Sequence, residues 1–324
     1  MDDNFLFVVL TLDATMRVST PLILCAMAGL FSERSGIIDI SLEGKMLAGA
    51  FIAASIAAVS GSPWLALLAA TCGAMMLSLL HGFACITHRG NQVVSGVAIN
   101  IVVSGLTVVL GIAWFARGGQ TPALDEASRF MPIIWPYAAE IRGIPVIGPI
   151  YTELLSGHNI LVYIGFLIVP LTWWIVFRTR FGLRLRAVGE NPQAVDTAGI
   201  SVSLLRYKAV LINGLLTGMA GTYLSVAHNA GFVRDMSAGQ GYIALAAMIF
   251  GKWRPFHAFG ACLMFGLLDA MSIRLQGIEI PVFGEVPVQL IQALPYVLTV
   301  VLLAGFIGKA IAPKAIGVPY VKER

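Results

Sequence analysis

The chain has few side chains placed for covalent or metal chemistry. Its five histidines, His81, His88, His158, His228 and His257, stand singly, without metal-ligand spacing, so each reads as an interface residue or one satisfied in a helix contact. Gly308-Lys309 is followed by Ala310 and has no glycine five positions before Gly308, so no phosphate-binding loop is present. No nucleophile stands beside a base. What remains is hydrogen-bonding chemistry inside long apolar runs, where polar groups are costly unless paired or hydrated. Asn100 and Asn213 each donate and accept, which suits the hydroxyls of a ribose or the edge of a base. Hydrogen bonding between packed helices accounts for both equally well. Glu43 and Gln240 sit at the starts of small-residue helices, where a pathway or gate role is favoured. Lys45 and Arg274 are expected near span ends, leaving no cation at mid-depth for an anionic solute. Asp269, five residues before Arg274, reads as half of a structural pair. Ser32, Glu33, Arg34 and Ser35 form a polar break that either lines an inner gate or caps the first span.

The elements that must position these residues are membrane helices. The sequence is 58% hydrophobic and 12% charged, with repeated apolar runs long enough to cross a bilayer. That composition predicts an all-α polytopic membrane protein of about nine helices, with eight or ten as neighbouring counts. The spans are expected at Thr11–Phe31, Leu42–Ser60, Trp64–Thr87, Val93–Phe115, Ile160–Phe177, Tyr207–Ala227, Gly239–Phe250, Ala258–Gln276 and Val288–Ile307. The seventh is short. Cys25, Cys72, Cys85 and Cys262 all fall within spans and read as small apolar packing residues. Gly214, Gly218 and Gly221 give the sixth span a close-packing face. Trp173 and Trp174 mark an interfacial belt at the end of the fifth. The MDDN start lacks a basic signal-peptide region, so no cleavage is expected.

The Lys and Arg bias orients the chain. It puts the segment 178–208 and the tail residues Lys309, Lys314, Lys322 and Arg324 in the cytoplasm, and the proline-rich loop 117–157 outside. Within the inner segment lies RAVGENPQAVDTAGI, Arg186 to Ile200. Asn191 followed by Pro192 reads as an N-cap with proline in the first turn, and Gly199 as the C-terminal stop. A helix of about two turns results. A membrane protein driven by a soluble motor needs such a rigid knob, formed here by Gly189, Glu190, Asn191, Pro192, Ala194, Asp196 and Gly199. An interfacial helix resting on headgroups would want a larger apolar face.

The two halves hint at a repeat. Ile38–Phe51 and Arg234–Met248 each have an acidic, glycine-containing start followed by a small-residue helix, with Glu43-Gly44 and Gln240-Gly241 in corresponding places. The expected orientations run these helices in opposite directions, as an inverted repeat requires.

Four ordered motifs carry a family resemblance: Ser32–Phe51, Asn91–Asn100, Gly189–Ser201 and Gly239–Trp253. Together they resemble the permease subunits of bacterial ABC importers in the branched-chain amino acid and ribose permease superfamily. The similarity is greatest to its nucleoside and simple-sugar branch. Two departures stand out: Asp39-Ile40-Ser41 where that branch more often has Asn-Ile-Gly, and Asp196-Thr197 where Glu-Ala is common. The resemblance implies one permease transmembrane domain over residues 1–324, located in the bacterial cytoplasmic membrane. It implies an ABC ATPase subunit docked on the segment 178–208, a second permease subunit (the same chain or a related one) and an extracytoplasmic solute-binding protein. The implied cargo is a small polar solute such as a nucleoside, nucleobase or sugar. No enzymatic activity, cofactor or nucleic-acid partner is expected. An ion-coupled secondary transporter is the alternative; it calls for a protonatable carboxylate in the membrane, for which Asp269 is a poor basis. A membrane-embedded enzyme would need a catalytic constellation that the sequence lacks.

Overall fold

The computed structural model describes residues 3–141, 143–274, 279–280, 284–285, 293, 297 and 311–322. It is an all-α polytopic assembly. Among the described residues, seven helices are long and apolar enough to cross a membrane. The expected ninth span, Val288–Ile307, lies almost wholly outside the described residues.

The first helix, α1 (Asp3–Arg34), is longer than its expected span and carries Ser32, Glu33 and Arg34 as its last turn. Next come α2 (Leu42–Ser60), α3 (Pro63–Gly82) and α4 (Gln92–Phe115). Each starts and stops where local chemistry dictates. Gly61, at φ 67°, ends α2 in the left-handed conformation. Ser62 caps α3, with Pro63 in its first turn. The Asn91 side chain accepts from the amides of Val93 and Val94 at 2.9 and 3.1 Å to cap α4. After the long loop follow α5 (Ile160–Arg178), α6 (Arg180–Glu190) and α7 (Pro192–Thr197). The core helix α8 (Val202–Thr222) continues as a wider turn through Tyr223–His228. Then come the short α9 (Gln240–Phe250) and α10 (Pro255–Arg274). A two-residue antiparallel ladder joins Glu279–Ile280 to Gly284–Glu285.

One element departs from the expected loop: residues 180–190 form a helix, so Gly189 and Glu190 belong to its last turn. Its glycines explain why it lies flat against the bundle. A Cβ on Gly182 would meet the Ile175 carbonyl oxygen at 2.1 Å, and one on Gly189 would meet that of Arg34 at 2.3 Å.

These contacts define a basic face, where the end of α1, the helices α6 and α7 and the tail meet. The Arg34 guanidinium donates to the Trp253 carbonyl at 2.7 Å, and Trp253 Nε1 donates to Glu33. Ala315 N donates to Gly189 O at 2.8 Å, and Gly317 N to Gly36 O at 3.0 Å. The opposite face carries the segment 117–157 and the strand-like stretch near Phe232, whose carbonyl accepts from Thr121 N at 3.1 Å. Cys25, Cys85 and Cys262 are buried as expected, but Cys72 is exposed on α3.

Helix α8 is packed closest. In hydrocarbon, helices associate through close packing rather than expulsion of water, so small residues decide the approach. Cβ atoms on Gly214 and Gly218 would meet the Cα atoms of Met75 and Thr71, each at 2.6 Å, and one on Gly221 would meet Met46 O at 2.3 Å. The expected glycine face is therefore a backbone-to-backbone contact with α3 and α2. We predict that Gly221→Val forces α8 off α2 and destabilises the protein by about 3 kcal/mol. The measurement is the thermal unfolding midpoint in detergent; an unshifted midpoint contradicts the close approach.

Candidate translocation cleft and docking helix

The starts of α2 and α9 meet in the interior, and one carboxylate joins them. Glu43 accepts the Gly239 amide on one oxygen at 2.8 Å and the Gly241 amide on the other at 2.7 Å. The first amides of a helix have no partner within it and carry partial positive charge, so an anion there satisfies both demands. Gly239 stands at φ 82°, and a Cβ on Gly241 would come within 2.6 Å of Glu43 Cα. A side chain at Gly241 would open the junction, and one at Gly239 would strain its left-handed backbone.

Asn100 of α4 completes the junction from the other side. Its Oδ1 accepts from Gly44 N at 2.8 Å, while Nδ2 donates to Ile40 O at 3.1 Å and to the Tyr242 hydroxyl at 2.8 Å. Four residues on, Ser104 Oγ donates to Asp235 at 2.8 Å. Glu43, Asn100, Ser104, Asp235 and Tyr242 line a cavity of about 420 Å³. With a rise of 1.5 Å per residue, Asn100 and Ser104 lie about 12 and 18 Å along α4. The cleft therefore sits at mid-depth of the bundle. From it α2 runs to the opposite face, where Gly61 nears Ser128, and α9 runs to the basic face at Trp253.

On the basic face, α7 is a short capped helix. Asn191 Oδ1 accepts from Ala194 N at 3.1 Å, with Pro192 in the first turn. Gly199 at φ 77° closes it, its N–H bonding to Asp196 O at 2.9 Å while Ile200 N reaches Val195 O at 3.2 Å. Val195 points inward onto Val188, Val202 and Leu205, so the helix is pinned from below. Ala194 and Thr197 face outward, and Asp196 lies 3.8 Å from the Lys322 ammonium of the tail.

Residues 11–304 match the family described as branched-chain amino acid transport system / permease component. The chain belongs to this permease family. It is 41% identical over 320 residues to the guanosine ABC transporter permease protein NupQ of Bacillus subtilis, covering 96% of each chain. It is 40% identical to the nucleoside ABC transporter permease protein NupC of Lactococcus lactis, covering 94% of this chain and 95% of that one. The putative glucose ABC transporter permease protein TsgC13 of Haloferax volcanii is 33% identical, with 90% of each covered. The chain is thus a multi-pass permease of the inner membrane.

The permease brings two of the four expected polar residues, Glu43 and Asn100, into the cleft. Gln240 starts α9 beside it, outside the cavity lining, and its buried Oε1 has no partner among the described residues. Asn213 is away from the cleft and wholly buried, accepting from Lys45 Nζ at 3.1 Å. Lys45 is not at a water-facing inner end: it is buried in an ion pair with Asp39, so its charge is neutralised within the protein. Among the described residues Asp269 and Arg274 form no ion pair; the Arg274 guanidinium lies over the Phe7 ring, 5.6 Å from its centroid. The residues missed by spacing are Ser104, Asp235 and Tyr242. Asp235 and Tyr242 lie inside the stretch Arg234–Met248 that the repeat had marked, which was their available signal.

Glu43→Gln preserves shape but sets an amide N–H₂ against one of the two backbone N–H groups. The expected destabilisation is about 1–3 kcal/mol. Thermal unfolding of the purified permease reads it directly, and an unchanged midpoint contradicts the clamp.

Proposed function

We propose that the permease is one half of the pore of an ATP-driven importer, moving nucleosides or closely related neutral solutes into the cytoplasm. The observation that carries this reading is the mid-depth cleft. Its volume falls in the range of small-molecule sites, about 300–1,000 Å³. Asn100 Nδ2 and the Ser104 hydroxyl hydrogen are already engaged. The Tyr242 hydroxyl hydrogen and the remaining lone pairs of Asn100 Oδ1 and Ser104 Oγ are the uncharged groups that match ribose hydroxyls and base edges. The charged residues lining the cleft are two carboxylates, Glu43 and Asp235, with no Lys or Arg among the described lining residues, so the cleft disfavours an anion. The named activities of the guanosine and nucleoside permease relatives support the same solute class, and the glucose relative makes a sugar the second arm of the test.

The open side of the cleft supports a second permease subunit. The Asp235 side chain is 53% exposed at a depth where lipid would otherwise surround it. A carboxylate in hydrocarbon is costly, so this face calls for a water-filled path between two subunits. The capped, inwardly pinned α7 supports docking of an ABC ATPase subunit, with Gly189, Glu190, Asn191, Pro192, Ala194, Asp196 and Gly199 forming or flanking the knob. An extracytoplasmic solute-binding protein delivers cargo at the opposite face. The opposite directions of α2 and α9 from their shared starting point support the inverted repeat.

Two experiments test this reading. Gly199→Val disturbs the left-handed stop of α7 and Asp196→Lys inverts its charge; each is expected to lower ATP-dependent uptake by about tenfold or more while insertion persists. Normal uptake in both variants removes α7 as the docking helix. Second, vesicles holding the whole importer are offered labelled guanosine, uridine, glucose and guanosine monophosphate. Nucleoside uptake is expected to dominate, and Asn100→Leu to lower it without changing the affinity of the binding protein. Preferential uptake of the monophosphate or of glucose overturns the solute class.

A further inference from the structure

A second polar cluster lies beneath the cleft and does not line it. The side chains of Asp39 and Lys45 are fully buried, as is Asn213. The Lys45 ammonium donates to the Asp39 carboxylate and, at 3.1 Å, to Asn213 Oδ1. Asp39 also accepts from Ser41 N at 3.1 Å and from the Ser41 hydroxyl, and His81 Nε2 lies 4.0 Å away. Ser78 Oγ approaches Asn213 Oδ1 at 3.5 Å. The ammonium forces Asn213 to turn its oxygen inward, which strands Nδ2; that buried donor has no partner among the described residues. An orphaned buried donor costs about 1–3 kcal/mol. A buried ion pair is seldom more stabilising than apolar residues of the same volume. Stability therefore does not account for this cluster.

Its position does. Asn213 stands on α8, about 16 Å from the end of that helix which follows α7. Lys45 stands two residues after Glu43 in the first turn of α2. The Lys45–Asn213 contact thus joins the helix leaving the docking knob to the carboxylate that holds the start of α9. A second link lies nearer the basic face. Arg206, buried in the first turns of α8, donates to Ser35 O at 3.1 Å, in the stretch that leads to Asp39.

We propose that Lys45 and Asn213 are positioning residues for ATP-driven transport. Displacement of α7 is conveyed along α8 to Lys45, and from there to the Glu43 clamp at the cleft, with Asp39 holding the ammonium in place. The stranded Nδ2 of Asn213 is the spare donor for the shifted position of α8. This inference rests on the docking reading of α7 given above.

The test uses the complete importer in proteoliposomes, with labelled guanosine uptake and phosphate release measured on the same preparation. Asn213→Leu removes the contact and the stranded donor while the Asp39–Lys45 pair remains. The double variant Asp39→Asn with Lys45→Met removes both charges together, so no unpaired charge is left buried. In each, uptake is expected to fall about tenfold while ATP hydrolysis stays within about twofold, raising the ATP consumed per solute by nearly the same factor. Hydrolysis and uptake that fall in proportion, or that both stay unchanged, overturn the transmission role. Wild-type uptake that persists when hydrolysis is blocked overturns the docking reading itself, and this control is read separately from the variants.

Discussion

A helix that begins in the middle of a membrane protein must find partners for its first amides, and here one carboxylate provides two of them. Without Glu43, the Gly239 and Gly241 amides would be buried without an acceptor where water is scarce. The clamp sets the start of α9, and the start of α9 sets where Asp235 and Tyr242 can lie. Asn100 then bridges α4 to both α2 and α9 through Gly44, Ile40 and Tyr242. The cleft is the space left around this junction, so its shape follows from satisfying backbone groups rather than from a separately built pocket.

The same economy appears on the basic face. Arg206 is an uncommon residue to bury, yet its guanidinium reaches the Ser35 carbonyl, and the tail backbone pairs with Gly189 and Gly36. Three stretches far apart in sequence (the turn after α1, the α6–α8 segment and residues 311–322) are held together by main-chain hydrogen bonds and by the Arg206 guanidinium, which also reaches the Val318 carbonyl at 3.4 Å. Gly189 permits this by letting α6 press against the Arg34 carbonyl.

Local chemistry was legible in the sequence, and lateral arrangement was not. Asn191, Pro192 and Gly199 announced α7 because caps and stops depend on neighbours only a few residues away. The Gly214, Gly218 and Gly221 spacing announced a packing face because a helix repeats every 3.6 residues. By contrast, Asn100 and Asn213 look alike in sequence, and only the packing shows that one lines the cleft and the other meets a buried lysine. The helix α6 was hidden by its arginines and glycines, which read as a loop until the bundle surface against which it lies is known. Asp39 and Lys45 gave no warning of their pairing, because a helix start intervenes between them.

The brevity of α9 bears on how the chain is made. Eleven residues rise about 16 Å, roughly half the hydrocarbon thickness of a bilayer. Such a segment cannot leave the translocation channel into lipid by itself, because its first amides would face acyl chains. It packs along its length on α1 and α10, and its first amides are received by Glu43 at the start of α2, synthesised almost two hundred residues earlier. In the order of synthesis from N- to C-terminus, the acceptor of this clamp therefore precedes its donors.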